Sequence, residues 1–545
     1  MPAAKRVWSE LETQQWRAQE LLQAEEKKAK VQAIAAAWNF SQSQPFRTNF
    51  LGAFPPSDIE AANLVRESMG IEIQSDASAQ GFTPAPLQSW SEMSILPSWI
   101  TKSLQEHSWE APMPVQAQAF PILLGGQNLI GIAQTGSGKT IAFMLPAVIH
   151  AHDQRPLGAY DQGPIVLVLA PTRELAVQIG EETEKLTKHS WESPMHPRGL
   201  WTTCFYGGGK KRDQLQKFSN EGSHFVVATP GRLLDCIAEG SVSLGRVTYF
   251  CLDEADRMLD LGFLGDMEQL SSTIRPDKQM AFFSATWPST VQSLAYNLCT
   301  SGQPVTIRVA QAGRENSEAL QARESICQEV VMIEELEGKN KWGRQDEIKK
   351  KLLDEHLKLA LASDPNTKVL IFVNDKIFAD ELSRKLWDEG IAADCIHGGR
   401  QQEKRLEILD CFRQGTLRIL VATDVIGRGL DIPNVTHVVV YAMNSVQDYI
   451  HRIGRTGRGK NGSGHALVFF EYTPKAPAIA GELVDVLIRS KQVVPPQLQQ
   501  IADEVASGVR VGFYESWGNG GGNWKSSGSN WNNWNNGSNG WQNTG

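Results

Sequence analysis

The sequence predicts an α/β protein built from two parallel-sheet domains in tandem, and three observations carry that prediction. Short, near-continuous apolar runs alternate with helical stretches between about residues 88 and 310. The same alternation returns between about 325 and 490. A glycine-rich turn joins the strongest strand candidate, Leu129–Ala133, to a helix beginning near Lys139. Strands that read as unbroken apolar runs are covered on both faces, and their alternation with helices implies a parallel sheet wrapped by helices.

Taken in order, residues 1–87 read as an N-terminal extension. Within it, 8–37 are rich in Glu, Gln, Lys and Ala, and Leu11, Trp16, Leu21, Leu22, Val31 and Ile34 recur at helical spacing. That pattern predicts a solvated helix on a mobile arm. Residues 38–87 hold turn formers such as Phe54-Pro55-Pro56 and read as an extended segment on a domain surface. The first domain, 88–310, has strand candidates at 129–133, 165–170, 225–229, 249–253 and 280–284. Residues 311–347 are polar and charged and read as a linker with a surface insertion. The second domain, 348–490, has strand candidates at 369–373, 419–423, 437–441 and 466–470. It has no Gly-Lys-Thr turn of its own, so one domain holds an anion and the other can only bring groups to it. Residues 491–545 read as a tail, low in complexity from about 515, where Gly, Asn and Ser surround Trp517, Trp524, Trp531, Trp534 and Trp541. Such a segment buries too little apolar area to order itself. Its tryptophans suit base stacking or self-association and partner binding equally.

Composition narrows the class. Of 545 residues, 41% are hydrophobic and 21% charged, an ordinary globular balance. No apolar run approaches a membrane span, and the first residues carry no secretory pattern, so an intracellular protein is expected. Seven scattered cysteines with no Cys-x-x-Cys pair predict reduced, mostly packed thiols and give no zinc-ligand spacing. A formal net charge of −8 excludes coating of nucleic acid by global charge. Affinity for a polynucleotide must then come from a few placed cationic and backbone groups, and it should be salt-sensitive.

The turn Ala133-Gln134-Thr135-Gly136-Ser137-Gly138-Lys139-Thr140 is a phosphate cradle. Its glycines let backbone N–H groups close on an anion, and the helix N-terminus adds partial positive charge. Lys139 can reach the β and γ phosphates, and the Thr140 hydroxyl can ligate Mg²⁺. Ala133 stands where this pattern usually has its first glycine. Asp253 and Glu254 follow the apolar run Tyr249–Leu252, which puts two carboxylates at a strand end. One suits Mg²⁺, partly through water, and the other an attacking water.

Further segments follow in a fixed order: Gln116, Pro171-Thr172-Arg173-Glu174-Leu175, Gly207-Gly208, Thr229-Pro230-Gly231-Arg232, Asp253-Glu254-Ala255-Asp256, Ser284-Ala285-Thr286, Ala422-Thr423-Asp424 through Arg428-Gly429-Leu430-Asp431, and His451 through Arg458. With them the chain resembles the DEAD-box ATP-dependent RNA helicases over about residues 85–490. The resemblance implies two RecA-like domains, ATP and Mg²⁺ as ligands, and RNA bound without sequence reading.

It also implies residue roles. Lys139, Asp253 (metal), Glu254 (water), Arg455 and Arg458 (arginine fingers) would be catalytic. Trp90, Gln116, the cradle 133–140 and Asp431 would bind ATP, with Trp90 where the family usually stacks a Phe. Pro171, Thr172, Arg173, Gly208, Thr229, Pro230 and Arg232 would bind RNA on the first domain. Gln402, Arg405, Thr423, Asp424 and Arg428 would do so on the second. Asp256, Ser284, Thr286 and His451 would couple the two sites. Departures are Ser108-Trp109 in place of Gly-Phe, and Ile426-Gly427 in place of two small residues. The flank Pro45–Phe50, Ile71–Ile73 and Pro84–Pro86 resembles the subgroup acting on nuclear pre-mRNA and ribosomal RNA, which favours the nucleus over the cytoplasm. The activity implied is an RNA-stimulated ATPase that unwinds short duplexes or remodels ribonucleoproteins as a monomer, with an ATP-gated RNA clamp or a DNA helicase as rivals.

Overall fold

The computed structural model describes residues 10–37, 45–51, 59–75, 83–134, 136–156, 163–309, 324–333, 341–423, 432, 434–457 and 463–510. The low-complexity tail, and among site residues Thr135, Asp424, Arg428, Asp431 and Arg458, lie outside the described residues, as does Ile426-Gly427.

Two sheets stand in sequence. The first contains β1 (Ile71–Ser75), β2 (Leu129–Ala133), β3 (Val166–Leu169), β4 (Thr202–Phe205), β5 (Phe225–Ala228), β6 (Tyr249–Asp253), β7 (Gln279–Ser284) and β8 (Val305–Val309), in the order β1-β8-β2-β7-β6-β3-β5-β4. All pairs are parallel except β1 with β8. The second contains β9 (Ile326–Met332), β10 (Val369–Phe372), β11 (Ala393–Ile396), β12 (Ile419–Ala422), β13 (His437–Val440) and β14 (Gly464–Phe470), in the order β11-β12-β10-β13-β14-β9, parallel throughout.

Alternation along each strand makes two core layers per sheet. Leu129, Val166, Val168 and Phe283 enter one layer of the first domain, while Ile130, Leu167, Leu169 and Phe282 enter the other. Both layers are dry because helices cover both faces, which is why these strands read as unbroken apolar runs. The parallel arrangement also puts the carboxyl end of every strand but β1 on one edge of its sheet, where the βα loops gather.

Four expectations about the chain's organisation need correction. The helix Glu10–Ala37 forms, but it is not a free arm: Val31 is fully buried in the first domain's core and Ile34 packs beside it. Lys27 pairs with Asp235 at 2.6 Å. Leu21 and Leu22 stay exposed, so the docking rests on one short stripe, Val31 and Ile34, and on Lys27. The described parts of 38–87 are likewise built in. β1 closes the sheet edge, Phe50 N donates to Leu124 O at 2.7 Å, and buried Arg66 donates to Gln118, Thr83 O and Pro84 O. The stretch 311–347 includes β9, the edge strand beside β14, so the second domain begins before residue 348. Its alternate exposure hid it as a polar linker, since an edge strand has only one dry side. The second domain also runs past 490, because helix Pro496–Ala506 buries Leu498 and Ala502 in its core.

Candidate active site and nucleic-acid interface

The phosphate cradle leaves β2 and enters helix Lys139–His152 through Gly138 at φ +88°. A side chain there is excluded twice. The backbone is left-handed, and a Cβ would meet Gln116 Nε2 at 2.5 Å and Met113 Sδ at 2.7 Å. Gln116 is thereby part of the cradle wall: its Nε2 donates to Gly138 O at 3.0 Å and its Oε1 accepts from Met113 N at 2.9 Å. Lys139 is buried and donates to Ala133 O at 2.8 Å, so its ammonium lies inside the loop where a phosphate's charge is wanted. Ser137 Oγ donates to Gln134 O at 2.8 Å, and Gly136 and Thr140 complete the described part of the turn.

Trp90 packs on the helix that carries Gln116. Its ring lies 5.2 Å from Phe120, and its Nε1 donates to Trp109 O at 2.8 Å. Trp109 sits on the turn that ends helix Ser98–Glu106, where Trp109 N donates to Leu104 O and Ser108 N to Gln105 O. This is a Schellman closure with Ser108 in the position glycine favours, at φ 54°. The Ser-Trp departure keeps the turn and strains it.

β6 delivers Asp253 and Glu254 to the same edge. Both are buried, and Glu254 occupies the left-handed region at φ 54°, strain that aims its side chain back across the strand end. Asp253 Oδ1 accepts from Glu254 N at 3.0 Å. Burial raises both carboxyls above their usual range, Glu254 to about 7, with the Asp253 charge adding to the rise and Lys139 opposing it. Glu254 Oε2 is buried with no hydrogen-bond partner, which leaves an acceptor for a proton. Asp253 with the Thr140 hydroxyl is a hard oxygen pair of the kind Mg²⁺ takes, and the residues fit that ion.

The second domain completes the edge. Arg455 is fully buried, and its charge acts on Glu254 across the domain boundary, lowering what burial raises. Its Nε donates to the backbone O of His451, itself buried. Thr286 Oγ1 donates to Asp256 Oδ2 at 2.5 Å, and Gln447 Nε2 of the second domain donates to Thr286 Oγ1 at 3.1 Å. Ser284 does not join this chain: its Oγ is buried without a partner.

A family model for the DEAD/DEAH box helicases matches residues 113–294, and the helicase conserved C-terminal domain matches 348–460. The ATP-dependent RNA helicase DBP2 of Candida albicans is 38% identical over 489 residues, covering 89% of this chain and 80% of that protein. The DBP2 of Chaetomium thermophilum is 42% identical over 439 residues, covering 80% of this chain and 73% of its own. The chain belongs to the DEAD-box helicase family. Among solved structures, Mss116p bound to single-stranded RNA and AMP-PNP is similar with a TM-score of 0.64 and 28% identity, over 80% of this chain and 84% of that one. Dbp5 of S. cerevisiae bound to RNA and ADP BeF3 is similar with a TM-score of 0.59 and 26% identity, over 77% and 99%. Both domains are RecA-like.

The DEAD-box residues expected on RNA fall into two groups. On the first domain, Arg173 lies over Gly208, whose φ of +82° and lack of a side chain admit the guanidinium; a Cβ would overlap Arg173 Nη1. Arg232 donates to Gly209 O at 3.3 Å and to Gln214 Oε1 at 3.0 Å, joining the same surface. Thr229 and Pro230 lead into helix Pro230–Ala238 beside it. Pro171 precedes Thr172, whose hydroxyl is committed to capping helix Arg173–Thr187, accepting from Leu175 N.

On the second domain the outcome differs. Gln402 and Arg405 are buried against Glu174 of the first domain: Gln402 Nε2 donates to Glu174 Oε1 at 3.0 Å, and Arg405 Nη2 lies 2.5 Å from the same oxygen. These side chains join the domains, and Arg405 Nε keeps a buried donor without a hydrogen-bond partner. Thr423, whose N donates to Ile396 O, ends β12 on the shared edge.

Sequence reading passed over Glu174, quoted as part of a motif but given no role, and Gln447. The signal for Glu174 was available, since an acidic residue inside a basic, RNA-facing segment needs a cationic partner. Gln447 carries no sequence signal at all.

Proposed function

We propose that this protein is an RNA-stimulated ATPase that separates short RNA duplexes or remodels ribonucleoproteins by closing its two domains over one strand. The observation that carries the reading is the joint arrival, at one edge, of Lys139 and Glu254 from the first domain and Arg455 from the second. Support for closure comes from two similar proteins whose structures hold RNA together with a nucleotide analogue.

ATP would lie with its phosphates in the cradle 133–140 and its base between Trp90 and Gln116. Thr140 and Asp253 would hold Mg²⁺, which screens the phosphate charge when bound. Glu254 takes the proton of a water that attacks the γ phosphorus as the bond to the ADP oxygen breaks. Lys139 and Arg455, with Arg458, stabilise the charge on the departing phosphoryl oxygens. A finger of this kind is worth about 10³–10⁵ in rate, so hydrolysis waits for closure. RNA would cross Arg173, Gly208, Thr229 and Arg232 on the first domain and meet Asp424 and Arg428 of the second, through phosphate and 2′-OH contacts. The Asp256–Thr286–Gln447 chain reports closure from one site to the other.

The experiment is ATP turnover with and without RNA, using DNA of the same sequence as comparator, in the parent and in Lys139→Ala. RNA-specific stimulation that vanishes in the variant is expected. Equal stimulation by DNA, or full turnover in Lys139→Ala, would overturn the reading.

A further inference from the structure

We propose that His356, His437 and His465 form a binding site for one divalent transition-metal ion of the zinc class, on the face of the second domain away from the nucleotide. His437 opens β13 and His465 lies at the start of β14, whereas the catalytic groups gather at the opposite, carboxyl ends of the strands. The two are register partners, so their rings share one face of the sheet. His356 reaches them from helix Lys341–Ser363 and stacks on His465, with centroids 5.2 Å apart and planes at 28°. The other two ring separations are 5.5 Å and 5.4 Å.

One ligand nitrogen from each residue lies within 4.8 Å of the others. Zinc–nitrogen bonds of about 2.0–2.1 Å set tetrahedral ligands about 3.3 Å apart, so closing on an ion asks for side-chain movements of roughly an ångström. The outer partners decide which nitrogens are offered. His437 Nδ1 is engaged with Thr436 Oγ1 at 3.0 Å, which leaves Nε2. His465 Nε2 faces Glu329 Oε2 at 3.3 Å, which leaves Nδ1, buried and without a partner. His356 Nε2 is likewise buried and without a partner. A carboxylate behind one imidazole and a hydroxyl behind another is the arrangement that orients metal-bound histidines.

A second cluster, Asp380, Cys395 and His397, makes the contrast. There Arg400 already sets a guanidinium nitrogen 3.0 Å from both Asp380 Oδ1 and Cys395 Sγ, so the place of a cation is taken. No lysine or arginine is paired into the histidine triangle among the described residues. Three imidazoles favour Zn²⁺, Co²⁺ or Ni²⁺ over Mg²⁺. The bound ion would rivet helix Lys341–Ser363 to β13 and β14.

The test uses the full chain with any affinity tag removed, stripped by a chelator. It is titrated with ZnCl₂ by calorimetry and with CoCl₂ by visible absorption, both in millimolar MgCl₂. Expected are one equivalent of Zn²⁺, tetrahedral Co²⁺ bands and a raised Tm. His356→Gln and His465→Gln should each weaken binding at least tenfold while RNA-stimulated ATP turnover stays within twofold of the parent. The parent's Co²⁺ spectrum needs no variant, so a folding defect leaves that arm intact. Absence of saturable binding, octahedral Co²⁺ bands, or one undiminished equivalent in the double variant would overturn the proposal.

Discussion

Arg405 of the second domain places Nη2 at 2.5 Å from Glu174 Oε1 of the first, with both side chains out of water at 3% and 1% exposure. A pair that forms only when two domains meet contributes to closure and not to the folding of either domain. Removing one partner of a buried pair costs about 3–5 kcal/mol, because the other charge stays desolvated. Arg405→Ala is therefore expected to weaken RNA binding in a non-hydrolysable ATP analogue by about 10²- to 5 × 10³-fold, with Tm almost unchanged. Glu174→Gln should weaken it too, and the double variant should do no worse than Arg405→Ala. Additive losses in that cycle would show that the pair does not hold the domains together.

Glu254 supplies a pH prediction. Burial, then the Asp253 charge, pushes its carboxyl up to about 7. A base must be unprotonated to accept a proton from water, so kcat/KM for ATP should rise with pH through about 7 and fall away below it. In Glu254→Gln the acidic limb should disappear along with most of the rate. A pH profile of the variant that keeps the parent's limb would assign it to another group.

Ser108 should be improvable. Its φ of 54° closes the helix that positions Trp109 and, through Trp109 O, Trp90. A non-glycine residue in this region costs about 1–2 kcal/mol, and glycine returns part of the gain to the unfolded chain. Ser108→Gly is expected to add about 0.5–1 kcal/mol, a Tm increase of about 1–4 °C by thermal unfolding. ATP affinity should not fall. A lower Tm would mean that the serine is stabilised by something other than its backbone.

Thr286 sits between Asp256 and Gln447 and hydrogen-bonds to both. Thr286→Ala should leave ATP binding intact while lowering duplex separation per ATP hydrolysed at least tenfold. Parallel assays of turnover and strand release check this. Equal loss in both assays would make Thr286 part of the hydrolytic machinery instead of the link.

Much of this was legible in the residues because the chemistry demands it locally. The cradle 133–140 and Asp253-Glu254 are contiguous, and the central strands are apolar on both faces, so pattern alone located them. What escaped was set by tertiary context. β1 and β9 are edge strands with one wet side; the stretch holding β1 looked like a surface segment and that holding β9 like a linker. Among its described side chains, the helix Glu10–Ala37 docks through Val31, Ile34 and Lys27, too small a signal to separate a docked helix from a solvated one. For Gln402 and Arg405 the additional contact with Glu174 follows from how two domains meet, which no local pattern records.

The most direct test of the account is single-turnover ATP hydrolysis by Arg455→Lys at saturating ATP and RNA. If Arg455 completes the site from the second domain, the rate should fall by about 10³ or more while ATP and RNA affinities stay within a few-fold of the parent. A rate close to the parent's would contradict the composite site, and a loss confined to ATP affinity would reduce Arg455 to a binding contact.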